Sequence, residues 1–158
     1  GAPPGPPAPA GPGVPLALLG GPLTAADHGL VGAIERAGGC IVLDGTEGGE
    51  RTRRAPFDRR RLGIDPLGAL VEAYFGTIPD VFRRPNDALF AWVRAGVRER
   101  KARGVVLLRH VWCDLWHAEV RRFQDQLDVP VLDVDLDGEP AMNRDLVRIQ
   151  AFLEELRA

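Results

Sequence analysis

Cysteine is scarce: Cys40 and Cys113 are the two in 158 residues, and they lie too far apart in the pattern to suggest a disulfide framework. A reducing, cytoplasmic compartment is the expectation. Long apolar runs are missing as well. No stretch approaches the roughly 18–20 residues of a membrane span, and no charged start with an apolar centre marks a signal peptide, so the chain reads as soluble and without a membrane partner. Charge of one sign is not in excess. The net charge is −2 and the pI about 5.9, which removes whole-molecule attraction to nucleic acid. Nucleotide-binding motifs of the G-x-G-x-x-G or G-x-x-x-x-G-K type are also absent.

Residues 1–13 consist of glycine, proline and alanine alone, and read as a semi-rigid linker. A chain that opens on a linker is expected to be the C-terminal part of a longer polypeptide. The rest, residues 14–158, fits one domain, which at this length buries roughly 68–70% of its unfolded surface.

Apolar runs and helical spacings alternate along that domain. Val14 to Leu19 reads as the first strand, followed by Gly20-Gly21-Pro22-Leu23-Thr24, a turn with Thr24 as helix N-cap and a helix to about Ala37. Cys40 to Asp44 reads as the second strand, with Cys40 as a packing residue, and a flexible loop runs from Gly45 to Arg51. Asp65-Pro66 opens a helix that carries Leu67, Leu70, Val71 and Tyr74 to a stop at Gly76. Asn86 is placed to cap a longer helix reaching about Arg103, with Leu89, Phe90, Val93 and Val97 on its buried side. Val105 to Leu108 reads as a strand, Trp116 to Leu127 as helix, Pro130 to Leu136 as a fourth strand and Arg144 to Leu156 as the last helix. This order implies an α/β fold, a flavodoxin- or Rossmann-like three-layer sandwich on a four-stranded parallel sheet of order 2-1-3-4.

In such sheets ligands bind beyond the carboxyl ends of the strands. Four loops are expected to converge there: Gly20–Thr24, Asp44–Arg51, Arg109–His117 and Asp135–Asn143. The third is the richest, holding Arg109, His110, Trp112, Cys113, Asp114, Trp116 and His117 in nine positions. Cys113 is the one soft metal ligand among them, and a cluster needs more thiolates than one, so it can serve as a single leg of an iron–sulfur centre completed elsewhere. The spacing of His110, Cys113 and His117 also permits a three-ligand zinc site, and the pair Cys113–His117 permits nucleophilic chemistry. Against these stands a packing role for Trp112 and Trp116 with an inert thiol. Residues 51–61 hold six arginines and one acid, a patch suited either to phosphate or to plain solvation.

Longer strings carry a resemblance. They are Ala33-Ile34-Glu35-Arg36-Ala37-Gly38-Gly39, the run from Val42 to Arg51, Asp65-Pro66-Leu67, Tyr74-Phe75-Gly76, Arg103-Gly104-Val105, Trp112-Cys113-Asp114 and Arg148 to Glu154. Together they resemble the 2-hydroxyacyl-CoA dehydratase D-component family, which includes benzoyl-CoA reductase catalytic subunits. The likeness runs from about Val14 to the end, corresponding to the C-terminal domain of a family subunit.

The resemblance implies an oxygen-sensitive lyase or oxidoreductase with a 4Fe-4S cluster and an acyl-CoA substrate. Its implied partners are a second dehydratase-like subunit or a missing N-terminal half, and an ATP-dependent activator protein that feeds in one electron to make a ketyl radical of the thioester. Cys113 matches the family's Phe-Cys-Asp-like turn and is thereby the implied cluster ligand and metal-binding residue. His110 and Trp112, next to Cys113 in the chain, are then expected to line the pocket beside the reacting centre. Gly20, Gly21, Thr46, Glu47 and Arg51 are expected around the cofactor, though the resemblance does not fix which arginines between Arg51 and Arg61 hold acyl-CoA phosphates. Where many members read Thr-Cys-Thr-Gly-Gly, this chain has Thr46-Glu47-Gly48-Gly49, without that cysteine. The other reading is a non-catalytic flavodoxin-like scaffold that has lost the cluster.

Overall fold

The computed structural model describes residues 12–25, 27–53, 56–137 and 143–158. Arg54, most of the linker and the middle of the Asp135–Asn143 loop lie outside them. Four parallel strands, β1 (Val14–Gly20), β2 (Gly39–Gly45), β3 (Gly104–His110) and β4 (Val131–Leu136), make one sheet in the order β2-β1-β3-β4. The helices are α1 (His28–Arg36), α2 (Arg59–Ile64), α3 (Pro66–Val71), α4 (Asp87–Glu99), α5 (Asp114–Gln126) and α6 (Asn143–Arg157). The α/β class and the strand order are as the sequence implies.

The two-residue period of a strand builds the layers. Leu16 and Leu18 of β1, with Val106 and Leu108 of β3, face Leu30 and Ile34 of α1 and Ile149, Phe152 and Leu153 of α6. Ala17, Leu19, Val105 and Leu107 point the other way, onto Leu89, Phe90 and Val93 of α4 and Trp116 and Phe123 of α5. The inner strands β1 and β3 are therefore apolar at nearly every position, the mark of a strand covered on both faces. On the α4–α5 side Phe90 and Phe123 stack at 4.3 Å between ring centroids.

A bulge sits in β2. Leu16 pairs with Ile41 but Ala17 with Leu43, leaving Val42 as the extra residue. Its carbonyl accepts from Arg100 Nη1 at 3.1 Å, and Arg100 Nη2 reaches Glu50 Oε2 at 2.8 Å. The guanidinium thus ties the bulge to the loop that leaves β2.

Several boundaries differ from the sequence reading. Thr24 is not the N-cap. Asp27 holds that position, and its carboxylate accepts from Thr24 N at 2.8 Å and Thr24 Oγ1 at 2.7 Å, so the helix waits until His28. Asn86 holds the N-cap position of α4 without capping it, because its Oδ1 accepts from Arg122 Nη1 at 2.7 Å instead. The helix opened by Asp65 is regular only to Val71 and widens into a π-turn over Glu72–Gly76. A short helix before it, α2, is capped by Asp58. Leu67, Leu70, Val71 and Tyr74 are exposed.

Candidate functional site

The strand ends are fastened by one arginine. Arg51, 2% exposed, donates from Nε to the Gly45 carbonyl at 2.9 Å, from Nη2 to the Gly20 carbonyl at 3.3 Å and from Nη1 to the Pro79 carbonyl at 3.0 Å. Nη1 also pairs with the Asp80 carboxylate. The guanidinium lies over Trp116, 5.5 Å from the ring centroid. One cation therefore links the last residues of β1 and β2, the segment before α4 and the first turn of α5. Among the arginines expected to meet phosphate, Arg51 is turned inward onto this scaffold and Arg61 pairs with Glu72, while Arg53, Arg59 and Arg60 are exposed.

The loops touch one another directly. Glu47 N donates to the Gly21 carbonyl at 3.4 Å, and His110 Nε2 lies 2.9 Å from the Pro22 carbonyl, which assigns the ring proton to that nitrogen. Thr46 is buried and donates to Asp44 Oδ1 from both its amide, at 3.0 Å, and its hydroxyl, at 2.7 Å. Val111 N reaches the Leu136 carbonyl at 3.0 Å, bringing the end of β4 to the same rim. Three of the four expected loops thus meet, together with the described start of the fourth.

Cys113 is half-buried at the N-cap of α5, its amide donating to the His110 carbonyl at 2.9 Å and its carbonyl accepting from His117 N at 3.0 Å. Its side chain packs at the edge of the α4–α5 core. Cys40 sits far away, at the other end of the sheet, in register with Pro15. Trp112 is 90% exposed and Trp116 2%, so the two tryptophans divide into a solvent-facing ring and a packed one. Among the described residues no three His, Cys, Asp or Glu side chains converge to hold a metal ion, and the zinc triplet of His110, Cys113 and His117 is not assembled. The reason is local: His110 is held by the Pro22 carbonyl, and His117 lies on the exposed side of α5.

A charge pair that the sequence reading missed lies beside Cys113. Arg109, in β3 and 7% exposed, forks onto Asp133 with Nε to Oδ1 at 2.9 Å and Nη2 to Oδ2 at 3.0 Å. Asp135 Oδ1 is 2.7 Å from the same Nη2 but off its N–H direction, an ion pair without a hydrogen bond. Burial pulls the Arg109 pKa down; the Asp133 hydrogen bond, the charges of Asp133 and Asp135, and the nearby Cys113 outweigh it and hold the value above that of an ordinary arginine. Arg109 stays a cation at every working pH. The signal was in the sequence as an arginine on one strand and alternating acids on the next, readable only once Arg109 and Asp135 are known to pair across the strands.

A cleft of about 670 Å³ opens between α1 and the ends of β1 and β2, with Leu18, Leu23, Val31 and Ile41 as its apolar wall and His28, Glu35, Asp44 and Glu47 as its polar one. Leu18 and Ile41 belong to the α1–α6 face of the sheet, whereas Cys113 packs on the α4–α5 face. The cleft and the thiol therefore lie on opposite faces of the sheet.

No helix among the described residues is long and apolar enough to cross a membrane. No curated protein matches the chain. The family model of the 2-hydroxyglutaryl-CoA dehydratase D-component matches residues 8–156 of the 158, and the chain belongs to that family.

Proposed function

We propose that this chain is a domain of a 2-hydroxyacyl-CoA dehydratase-like or benzoyl-CoA reductase-like subunit, acting on an acyl-CoA thioester with further protein partners. In this reading Cys113 supplies one thiolate to an iron–sulfur cluster whose other ligands come from outside the chain. The observation that carries it is the placement of Cys113. It is the single cysteine at the carboxyl end of the sheet, half-buried where the loops of β1 and β3 meet and set at the head of a helix whose free N–H groups favour negative charge. One thiolate fits a shared cluster and not a self-contained one. When bound, the cluster would deliver a single electron to the thioester carbonyl.

The remaining residues have positional tasks. Arg51 holds the ends of β1 and β2 at a fixed distance from α5. Arg109 keeps a permanent positive charge near the sulfur, balanced by Asp133 and Asp135. The His110 ring ties the loop after β3 to Pro22. Trp112, at the exposed lip, is the surface an acyl-CoA or a partner subunit would cover, and the activator ATPase would dock on the assembled complex.

The test is anaerobic production of the chain with its partner subunit, followed by iron and acid-labile sulfide analysis and electron paramagnetic resonance. Cys113→Ser is expected to lose most of the iron and alter the reduced spectrum. Cys40→Ser, at the opposite end of the sheet, is expected to keep both. Unchanged iron and spectrum in Cys113→Ser would leave the cluster assignment without support. An iron-free wild-type complex would favour the scaffold reading, toward which the missing loop cysteine at Glu47 points.

A further inference from the structure

A second cleft, of about 610 Å³, opens at the end of the sheet opposite Cys113, between the last turns of α4 and the segment that joins α5 to β4. Its floor is apolar and covered: Val97 of α4, Ala102 ahead of β3 and Leu127 at the end of α5 are 7%, 6% and 9% exposed. Ala91 and Ala95, one turn apart on α4, line its wall with side chains too small to fill it. A hollow of this size, apolar inside with a few charged groups around it, suits a small molecule.

The rim is cationic. Arg94 and Arg98, one turn apart on α4, and Lys101 just beyond it stand exposed, and Asp128 is the single acid among the described residues that line the cleft. Glu99, in the same turn of α4, does not line it. None of the three cations has an acidic partner among the described residues, whereas Arg100, Arg121 and Arg122 on the same two helices pair with Glu50, Asp125 and Asp87. Like charges four apart cost a helix stability, and the helix dipole favours a cation only in the last turn, which covers Arg98 and not Arg94. The carbonyls at the end of α4 are taken up internally, since Arg100 N, Lys101 N and Ala102 N donate to Gly96, Arg98 and Val97 at 2.9, 3.2 and 2.9 Å. Lys101 has φ of +54°, the left-handed state that usually falls to glycine just past a helix end, so its charge is placed at a backbone cost.

A protein partner would need large apolar anchors, and none of the exposed ones lines this cleft. Nucleic acid would need a longer basic stripe than three cations in a chain of net charge −2. We infer that the cleft binds a small amphiphilic anion, an apolar body carrying a carboxylate, phosphate or sulfonate. The body rests on Val97, Ala102 and Leu127, and the anion meets Arg94, Arg98 and Lys101. The site is independent of Cys113 and of any cluster.

The experiment titrates the full chain, labelled with nitrogen-15, with octanoate, octylammonium and inorganic phosphate, each followed by amide shifts in NMR. Octanoate is expected to move the amides of Ala95, Arg98, Lys101, Ala102 and Val129 saturably, and the other two to leave them in place. Arg94→Gln with Arg98→Gln is expected to weaken octanoate by about fivefold, the worth of two exposed charge contacts. Ala95→Phe, which fills the cleft and keeps every cation, is expected to abolish saturable binding. Lys101→Gly moves two readouts in opposite directions: octanoate binding falls about twofold while the thermal unfolding midpoint rises.

Octylammonium moving the same amides as far as octanoate overturns the inference. So does an unchanged octanoate affinity in the glutamine variant, whose exposed positions leave the fold intact. Phosphate binding as tightly as octanoate removes the apolar body and overturns the assignment as stated. Octanoate shifts confined to the exposed side of α3 or to the cleft beside α1 overturn it as well, by placing the amphiphile elsewhere.

Discussion

Arg51→Met is expected to destabilise the fold by about 3–5 kcal/mol, the range for removing one partner of a buried ion pair. For a chain of this size that lowers the thermal unfolding midpoint by roughly 6–20 °C. Methionine fills similar space and keeps the packing on Trp116. It removes every donor to the carbonyls of Gly20, Gly45 and Pro79 and leaves Asp80 facing the gap without its cation. A carbonyl left buried and unpaired costs about 1–3 kcal/mol in its own right, so the upper half of the range is the better expectation.

Arg51→Lys separates charge from geometry: the ammonium restores a cation for Asp80 but has no fork with which to span two strand ends and Pro79 together. It should recover only part of the loss. Asp80→Asn, which keeps all three carbonyl contacts, should cost less than Arg51→Met. Chemical denaturation of the three variants checks the order, and an Arg51→Met midpoint indistinguishable from wild type would remove the clamp from the account.

That clamp marks where sequence reasoning stops. The layers were legible because burial on both faces leaves an unbroken apolar run, as in Val105-Val106-Leu107-Leu108, and because Leu30 and Ile34 or Phe123 and Leu127 recur at helical spacing. Chain order then set the sheet order. Three of the local misreadings share one cause: a polar side chain whose partner is distant in sequence. Asn86 looks like a cap until Arg122, 36 residues on, takes its carbonyl oxygen. Arg51 looks like one more member of a phosphate-seeking run until Asp80 and three carbonyls claim it. Arg109 looks like an active-site cation until the β3–β4 register sets it against two aspartates.

The exposed stripe Leu67, Leu70, Val71 and Tyr74 is a different case: helical spacing groups those residues and says nothing about whether the surface they face lies within the same chain. At the site itself the sequence could place Cys113 at a strand end, where the fold has it, but it could not show that the cleft beside α1 opens on the other face of the sheet.

Gly20 and Gly21 sharpen the same point, since the sequence treats them alike and the structure does not. Gly20 has φ of +144°, a backbone state that L side chains rarely adopt, and a Cβ built on it would lie 1.9 Å from the Leu108 carbonyl oxygen. The obstacle is backbone, in a strand buried on both faces and paired with Gly20 in register, so it cannot swing aside. Gly20→Ala therefore combines backbone strain of about 1–3 kcal/mol with overpacking of about 1–3 kcal/mol, and should cost roughly 2–6 kcal/mol. A Cβ at Gly21 would meet Trp116 Nε1 at 3.6 Å, an ordinary contact, so Gly21→Ala should fall within about 1 kcal/mol of wild type.

The two variants also differ in what they do at the site. Relief of the clash at Gly20 requires the ends of β1 and β3 to part, which pulls the Gly20 carbonyl from Arg51 and shifts the turn that His110 grips through Pro22. Urea unfolding of the pair measures the stability difference. Amide hydrogen exchange at Leu108 to Val111 should rise in Gly20→Ala and stay protected in Gly21→Ala, because the strain is localised at the seam between these two strands. Equal stability of the two alanine variants would mean that the β1–β3 seam yields where the structure holds it closed, and the rigid rim on which the positioning of Cys113 depends would have to be given up.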